Sequence, residues 1–179
     1  MSRFLSPKLK GLLPYTPGEQ PKEGGFIKLN TNESPYPPSP AVIEALEGKA
    51  ETLRLYPDPE CRELNSAIAD AFGLDTDEVI TGNGSDELLA FIFQAFCSKG
   101  AAFPDITYGF YKVWAQLYGI NTRVLPLKDD FSICLDDYTD IDETIFIANP
   151  NAPTGLALPA SDIIALAKNK ADRLIVVDE

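Results

Sequence analysis

Histidine is absent from the 179 residues, which removes the side chain that titrates nearest neutrality and, with it, the usual general base and the commonest metal ligand. A serine or cysteine triad built on this chain's own histidine is excluded, and no metal is expected. Cysteine is scarce: Cys61, Cys97 and Cys134 are widely separated and odd in number, unlike the paired spacing of a zinc site or the density of a disulfide scaffold. They read as reduced thiols, and the sequence predicts a cytoplasmic protein. Positive charge is short too, with 15 Lys and Arg against 27 Asp and Glu and a formal net charge of -12, so neither nucleic acid nor an anionic membrane is an expected partner. The start, Met1 to Gly11, lacks the apolar run of a signal peptide, and no window approaches a membrane span.

What is present suits one soluble globular domain, with 45% hydrophobic residues and enough length to bury a core. Residues 1–40 differ from the rest. They carry Pro14, Pro17, Pro21, Pro35, Pro37, Pro38 and Pro40 with little periodicity, which predicts an extended arm that wraps its own body or a partner subunit, with Phe26 to Leu29 as its one candidate strand. Residues 41–179 alternate between strand and helix patterns. Helices are predicted from Ser39-Pro40 to about Ala50, from Glu60 to Gly73, from Ser85 onward, from Tyr108 to Tyr118 and from Ser161 to about Lys170. Strands are predicted at Val79 to Thr81, Ala101 to Phe103, Thr122 to Leu125, Ile145 to Ala148 and Leu174 to Val177, the last read as buried on both faces. Phe131 to Leu135 reads as an edge strand or a loop. The pattern predicts an α/β fold of three αβα layers on a mostly parallel sheet, with ligands gathering beyond the strands' carboxyl ends.

The stretch Val79-Ile80-Thr81-Gly82-Asn83-Gly84-Ser85-Asp86-Glu87 organises this reading. Glycine permits a tight turn and close approach, and a helix N-terminus offers unpaired N–H groups and about half a positive charge, a setting for a phosphate. An ordinary capped turn without ligand fits the same residues. Asp178, after four apolar residues, emerges at a strand end. There it can bond a protonated ring nitrogen or cap the following turn. Tyr56 and Tyr108 read equally as packing anchors, Tyr15 as an arm residue without ligand, and Asn149 and Asn151 as turn formers.

Six pieces, Leu29-Asn30-Thr31-Asn32-Glu33-Ser34-Pro35, Arg54-Leu55-Tyr56-Pro57-Asp58, Gly82 to Glu87, Thr107-Tyr108-Gly109-Phe110-Tyr111, Asn149-Pro150-Asn151-Ala152-Pro153-Thr154-Gly155 and Val176-Val177-Asp178-Glu179, stand in the order found in fold-type I pyridoxal-phosphate aminotransferases. From about Leu12 to the last residue the chain resembles that family, most closely its histidinol-phosphate branch. The resemblance implies pyridoxal 5'-phosphate as cofactor and amino-group transfer between histidinol phosphate and 2-oxoglutarate. It implies that Gly84, Ser85 and Asp86 contact the cofactor phosphate, that Tyr108 stacks on the pyridine ring, and that Asp178 keeps the ring nitrogen protonated. It further implies a homodimer in which Tyr56 reaches the neighbouring subunit's cofactor phosphate, and a substrate-phosphate contact for Tyr15. The family's asparagine directly before Pro-Thr-Gly bonds the ring hydroxyl. Here that place holds Ala152, and the resemblance implies that Asn151, one residue earlier, is the cofactor-binding asparagine if the turn is rotated, whereas in strict register the contact is lost. The family's Schiff-base lysine belongs to a downstream Ser-Lys segment that the 179 residues do not contain, so the chain reads as the arm and first part of the large domain, inactive by itself. A threonine-phosphate decarboxylase-like or other class I/II enzyme, a phosphate-binding module and a purely structural remnant remain open as alternatives.

Overall fold

The computed structural model describes residues 3–13, 15, 18–20 and 25–179, with Lys8 as backbone only. The chain divides into two compact units, Met1–Tyr15 with Gly82–Glu179, and Thr16–Thr81. The arm expected over 1–40 is thus shared between them.

The larger unit is built on four parallel strands, β1 (Ala101–Pro104), β2 (Thr122–Leu125), β3 (Thr144–Ala148) and β4 (Ile175–Asp178), in the order β2-β1-β3-β4. Three helices complete it, α3 (Ser85–Phe96), α4 (Phe110–Tyr118) and α5 (Ala160–Asn169), while the smaller unit carries α1 (Pro40–Leu46) and α2 (Arg62–Phe72). Alternation along the strands sorts side chains to two faces. Ala101, Phe103 and Phe146 meet Leu89, Phe93, Cys97, Tyr111 and Ala115 of α3 and α4. Ala102, Ile145 and Ile147 meet Ile133, Tyr138, Ile141 and Leu166 on the other face. Helices therefore cover both sides of the sheet, the three-layer arrangement that parallel strands require. Phe93 and Phe146 stack with centroids 4.2 Å apart at the centre of the first cluster.

Helix ends follow their sequence signals. Gly73 and Gly119 close α2 and α4 in the left-handed conformation that glycine adopts without penalty. Pro40 occupies the first turn of α1, although Ser39 makes no side-chain cap and the helix stops at Leu46, before Ala50. The start of α2 is tied by Asp58, whose carboxylate accepts from the Glu60 and Arg62 amides.

Two strand expectations and one burial expectation are corrected, and one open reading is decided. Val79 to Thr81 and Phe26 to Leu29 form no strand, because a β-branched run becomes one only when a neighbour accepts its ladder, and neither segment has a ladder partner. Phe131 to Leu135 is a loop leading into a 3-10 turn, Leu135–Tyr138. The run ending in β4 is not buried on both faces: β4 pairs only with β3, and Leu174 and Val177 are exposed. The fully buried strands are the central ones, β1 and β3.

Candidate functional site

The carboxyl ends of β1, β3 and β4 release the polar segments that the sequence singles out. Strand β1 runs through Asp105-Ile106-Thr107-Tyr108 into α4, β3 runs into the loop 149–158, and β4 ends on Asp178.

At the turn before α3, Gly84 has φ +84° and is the residue preceding the helix, with no side chain to cap it. The first amides of α3 have no acceptor within the helix, and Ser85 makes no side-chain hydrogen bond among the described residues. Gly82 allows a close approach, since a Cβ there would lie 2.9 Å from Leu88 Cδ2 and 3.0 Å from Glu87 Oε2. The Glu87 carboxylate fills that space and accepts from the Asn83 amide at 2.7 Å. None of the ion pairs among the described residues falls on this turn. What the turn offers is therefore backbone amides, the Ser85 hydroxyl and the helix dipole.

Two tyrosines link this turn to the far strand. Tyr108 donates its phenol to Asp86 at 3.0 Å, and Tyr111 donates to Asp178 Oδ2 at 2.8 Å. Their rings meet edge to face, centroids 5.7 Å apart. Asp86 and Asp178 thus lie at the two ends of one tyrosine pair on the same edge of the sheet. Burial pushes both phenols well above the ordinary tyrosine range, and the carboxylate that each one serves pushes it further. Both remain neutral donors across the physiological range.

Tyr15 packs on Phe110, the neighbour of Tyr108 in the aromatic chain, with centroids 4.3 Å apart. It is 41% exposed, and the arm is also held by the Gln116 amide donating to the Gly11 carbonyl. Asn151 is only 1% exposed. Its Oδ1 accepts from the Thr107 hydroxyl, and its Nδ2 donates to the Ile106 carbonyl and the Thr154 hydroxyl. Asn149 clamps the other end of the same loop, bonding both backbone groups of Leu158. Tyr56 belongs to the smaller unit and is fully exposed.

Sequence reasoning missed Tyr111 and Thr107. The three-residue spacing of Tyr108 and Tyr111 at a helix start places both on one side and could have pointed to Tyr111. Nothing local points to Thr107, whose partner lies 44 positions away.

A parallel three-layer domain with free helix amides, a tyrosine pair and a strand-end carboxylate on one edge belongs to the α/β class that binds ligands beyond its strands. More particularly, the chain belongs to the aminotransferase class I and II family, which matches residues 25–179. It is 51% identical over 182 residues to a histidinol-phosphate aminotransferase of Brachyspira hyodysenteriae, covering 100% of this chain and 51% of that protein. It is 52% identical over 183 residues to one from Marinomonas sp., covering 100% and 52%. The crystal structure of histidinol-phosphate aminotransferase from Sinorhizobium meliloti in complex with pyridoxal-5'-phosphate superposes with a TM-score of 0.81 at 23% identity, over 100% of this chain and 51% of that one. The chain spans about half the length of the curated relatives it matches.

Proposed function

We propose that the chain is the first part of a pyridoxal-phosphate-dependent histidinol-phosphate aminotransferase, transferring an amino group between L-histidinol phosphate and 2-oxoglutarate. Residues 1–40 serve as its arm and 41–179 as the beginning of its cofactor domain. The observation that carries this reading is the connected edge running from the uncapped start of α3, through Asp86, Tyr108 and Tyr111, to Asp178. Identity near 50% to relatives of that name over the whole chain supports the substrate.

The donor set fits the cofactor. Amides at Gly84, Ser85 and Asp86, with the Ser85 hydroxyl, offer hydrogen bonds to a phosphate. The Asp86 carboxylate would repel a dianion, and it is turned to the Tyr108 phenol instead. Tyr108 presents its ring beside that turn for stacking on the pyridine. Tyr111 occupies one oxygen of Asp178, so the other is available to hold a proton on a ring nitrogen by a charge-assisted bond. When bound, pyridoxal phosphate supplies the electron sink for breaking the bond at the substrate's α-carbon. The chain's own groups position the ring, keep its nitrogen protonated and bind its phosphate. Tyr15 serves the substrate phosphate. Tyr56 reaches the cofactor of a second copy in a homodimer, and the protein works in the cytoplasm. No helix among the described residues is long and apolar enough to cross a membrane.

The test joins this chain to the C-terminal remainder of a relative and supplies histidinol phosphate with 2-oxoglutarate. Glutamate formation is the expected result. Carbon dioxide release from threonine phosphate, without glutamate formation from histidinol phosphate, would move the chain to the decarboxylase reading.

A further inference from the structure

The Asn151 side chain joins two of the loops that leave the carboxyl ends of the strands. We propose that it is a positioning residue, which fixes Tyr108 by tying the loop after β3 to the loop after β1. This rests on the reading above, in which Tyr108 faces the cofactor ring.

The backbone of Asn151 already closes its own loop. Its amide donates to the Leu156 carbonyl at 2.8 Å and its carbonyl accepts from the Gly155 amide at 2.7 Å. The side chain then reaches out of that loop, accepting from the Thr107 hydroxyl at 2.8 Å and donating to the Ile106 carbonyl at 3.0 Å and the Thr154 hydroxyl at 3.3 Å. A carboxamide has two N–H donors, and both are spent on protein. To donate to a ring hydroxyl, Asn151 would have to abandon a bond inside a site that water does not reach, where an unpaired polar group is costly. At the start of the loop after β1, the Asp105 carboxylate accepts from the Ile106 and Leu127 amides. Asp105 holds the start of that loop and Asn151 holds its far end, immediately before Tyr108. Thr107 directly precedes Tyr108, whose phenol bonds Asp86 in the first turn of α3, so the position of Thr107 is passed to the ring. Asn151 therefore acts through Thr107 on Tyr108, and the displaced asparagine of the Asn149 to Gly155 motif has a different duty from one standing directly before Pro153.

The test uses Thr107→Val, nearly isosteric, and Asn151→Ala, each in the chain joined to the C-terminal remainder of a relative. Without any ligand, amide hydrogen exchange at residues 106–109 is expected to quicken about tenfold in Thr107→Val, as the loss of one buried hydrogen bond implies, while β3 is unchanged. Unaltered exchange at 106–109 overturns the proposal, whatever the cofactor does. Binding is then measured by calorimetry with pyridoxal phosphate, its 3-deoxy analogue and inorganic phosphate. Both variants are expected to weaken the two ring compounds by the same factor, about tenfold, and to leave inorganic phosphate within about twofold. In a Tyr108→Ala background, Thr107→Val adds nothing. If Asn151→Ala weakens pyridoxal phosphate but not the 3-deoxy analogue, Asn151 is a direct ligand of the ring hydroxyl and the proposal falls. It falls equally if Thr107→Val keeps its full effect without the Tyr108 ring. Failure of the unaltered joined protein to bind pyridoxal phosphate would sink the functional reading alone, leaving the exchange measurement to decide on Asn151.

Discussion

Both units of the chain carry amphipathic helices, yet they end in different states. The unit containing the sheet buries Phe93, Phe103, Tyr111, Phe146, Ile145 and Ile147 completely, whereas in Thr16–Thr81 Ala69 is the only buried residue among those described. Yet α2 in the smaller unit is as well punctuated as any helix in the larger one, with Asp58 at its start and Gly73 at its end. Caps and periodicity are local and suffice to shape a helix. Burial is a long-range property, and four strands supply it where two helices do not.

Truncations break this comparison most sharply. Phe146→Ala, which empties the stacked centre of the first cluster, is expected to cost about 3–5 kcal/mol in urea unfolding, while Phe72→Ala, at a side chain 76% exposed, is expected to stay within about 0.5 kcal/mol. Similar losses at the two positions would mean that the smaller unit is packed as tightly as the larger. Next comes Arg173, a buried guanidinium that donates to the carbonyls of Tyr138, Thr139, Ile141 and Leu166. Arg173→Leu leaves those acceptors without their partner, and a loss of about 3 kcal/mol is expected by the same measurement. Tyr111→Phe is smaller, about 1–2 kcal/mol for one buried bond to a carboxylate.

Alkaline titration separates the units with a different probe. Burial raises the Cys97 thiol from 9.0 to about 11. A folded value above the unfolded one stabilises fully below pH 9, and that stability is lost as pH rises from about 9 to about 11. The raised phenols of Tyr108, Tyr111 and Tyr138 act in the same sense above pH 10. Cys97→Ala is expected to flatten the fall between pH 9 and 11, read as the change in urea midpoint. The smallest effect belongs to the smaller unit. Hydrogen bonds from the Arg62 and Glu60 amides hold the Asp58 carboxyl below its ordinary value, so its contribution is present above that value and is lost in stronger acid. Asp58→Asn should remove the acid-side loss of α2 helicity seen by circular dichroism.

The parallel sheet was legible because β1, β3 and the helices between them carry strong apolar patterns with glycine and proline at their borders. Val79 to Thr81 misled for a physical reason: its β-branched residues favour extended backbone, and extended backbone is what they have at Val79, but a strand also needs a neighbour. The turn at Gly82 to Glu87 and the strand-end Asp178 could be found from residue type and order. Tyr111 and Thr107 could not be assigned partners, because their bonds span 67 and 44 positions and exist only once the strand order is set. Asn151 was legible as a turn former, while its reach into the neighbouring loop depends on β1 and β3 lying side by side.

The strand order also gives the two sides of this edge different supports. The tyrosine-bearing loop and the Asn149 to Leu158 loop leave the two inner strands, but Asp178 ends the outermost one, held there by the Asn149 amide on its carbonyl and the Tyr111 phenol on its carboxylate. Asp178 therefore keeps its place only while the Asn149 loop and α4 keep theirs, and a disturbance of either reaches the carboxylate.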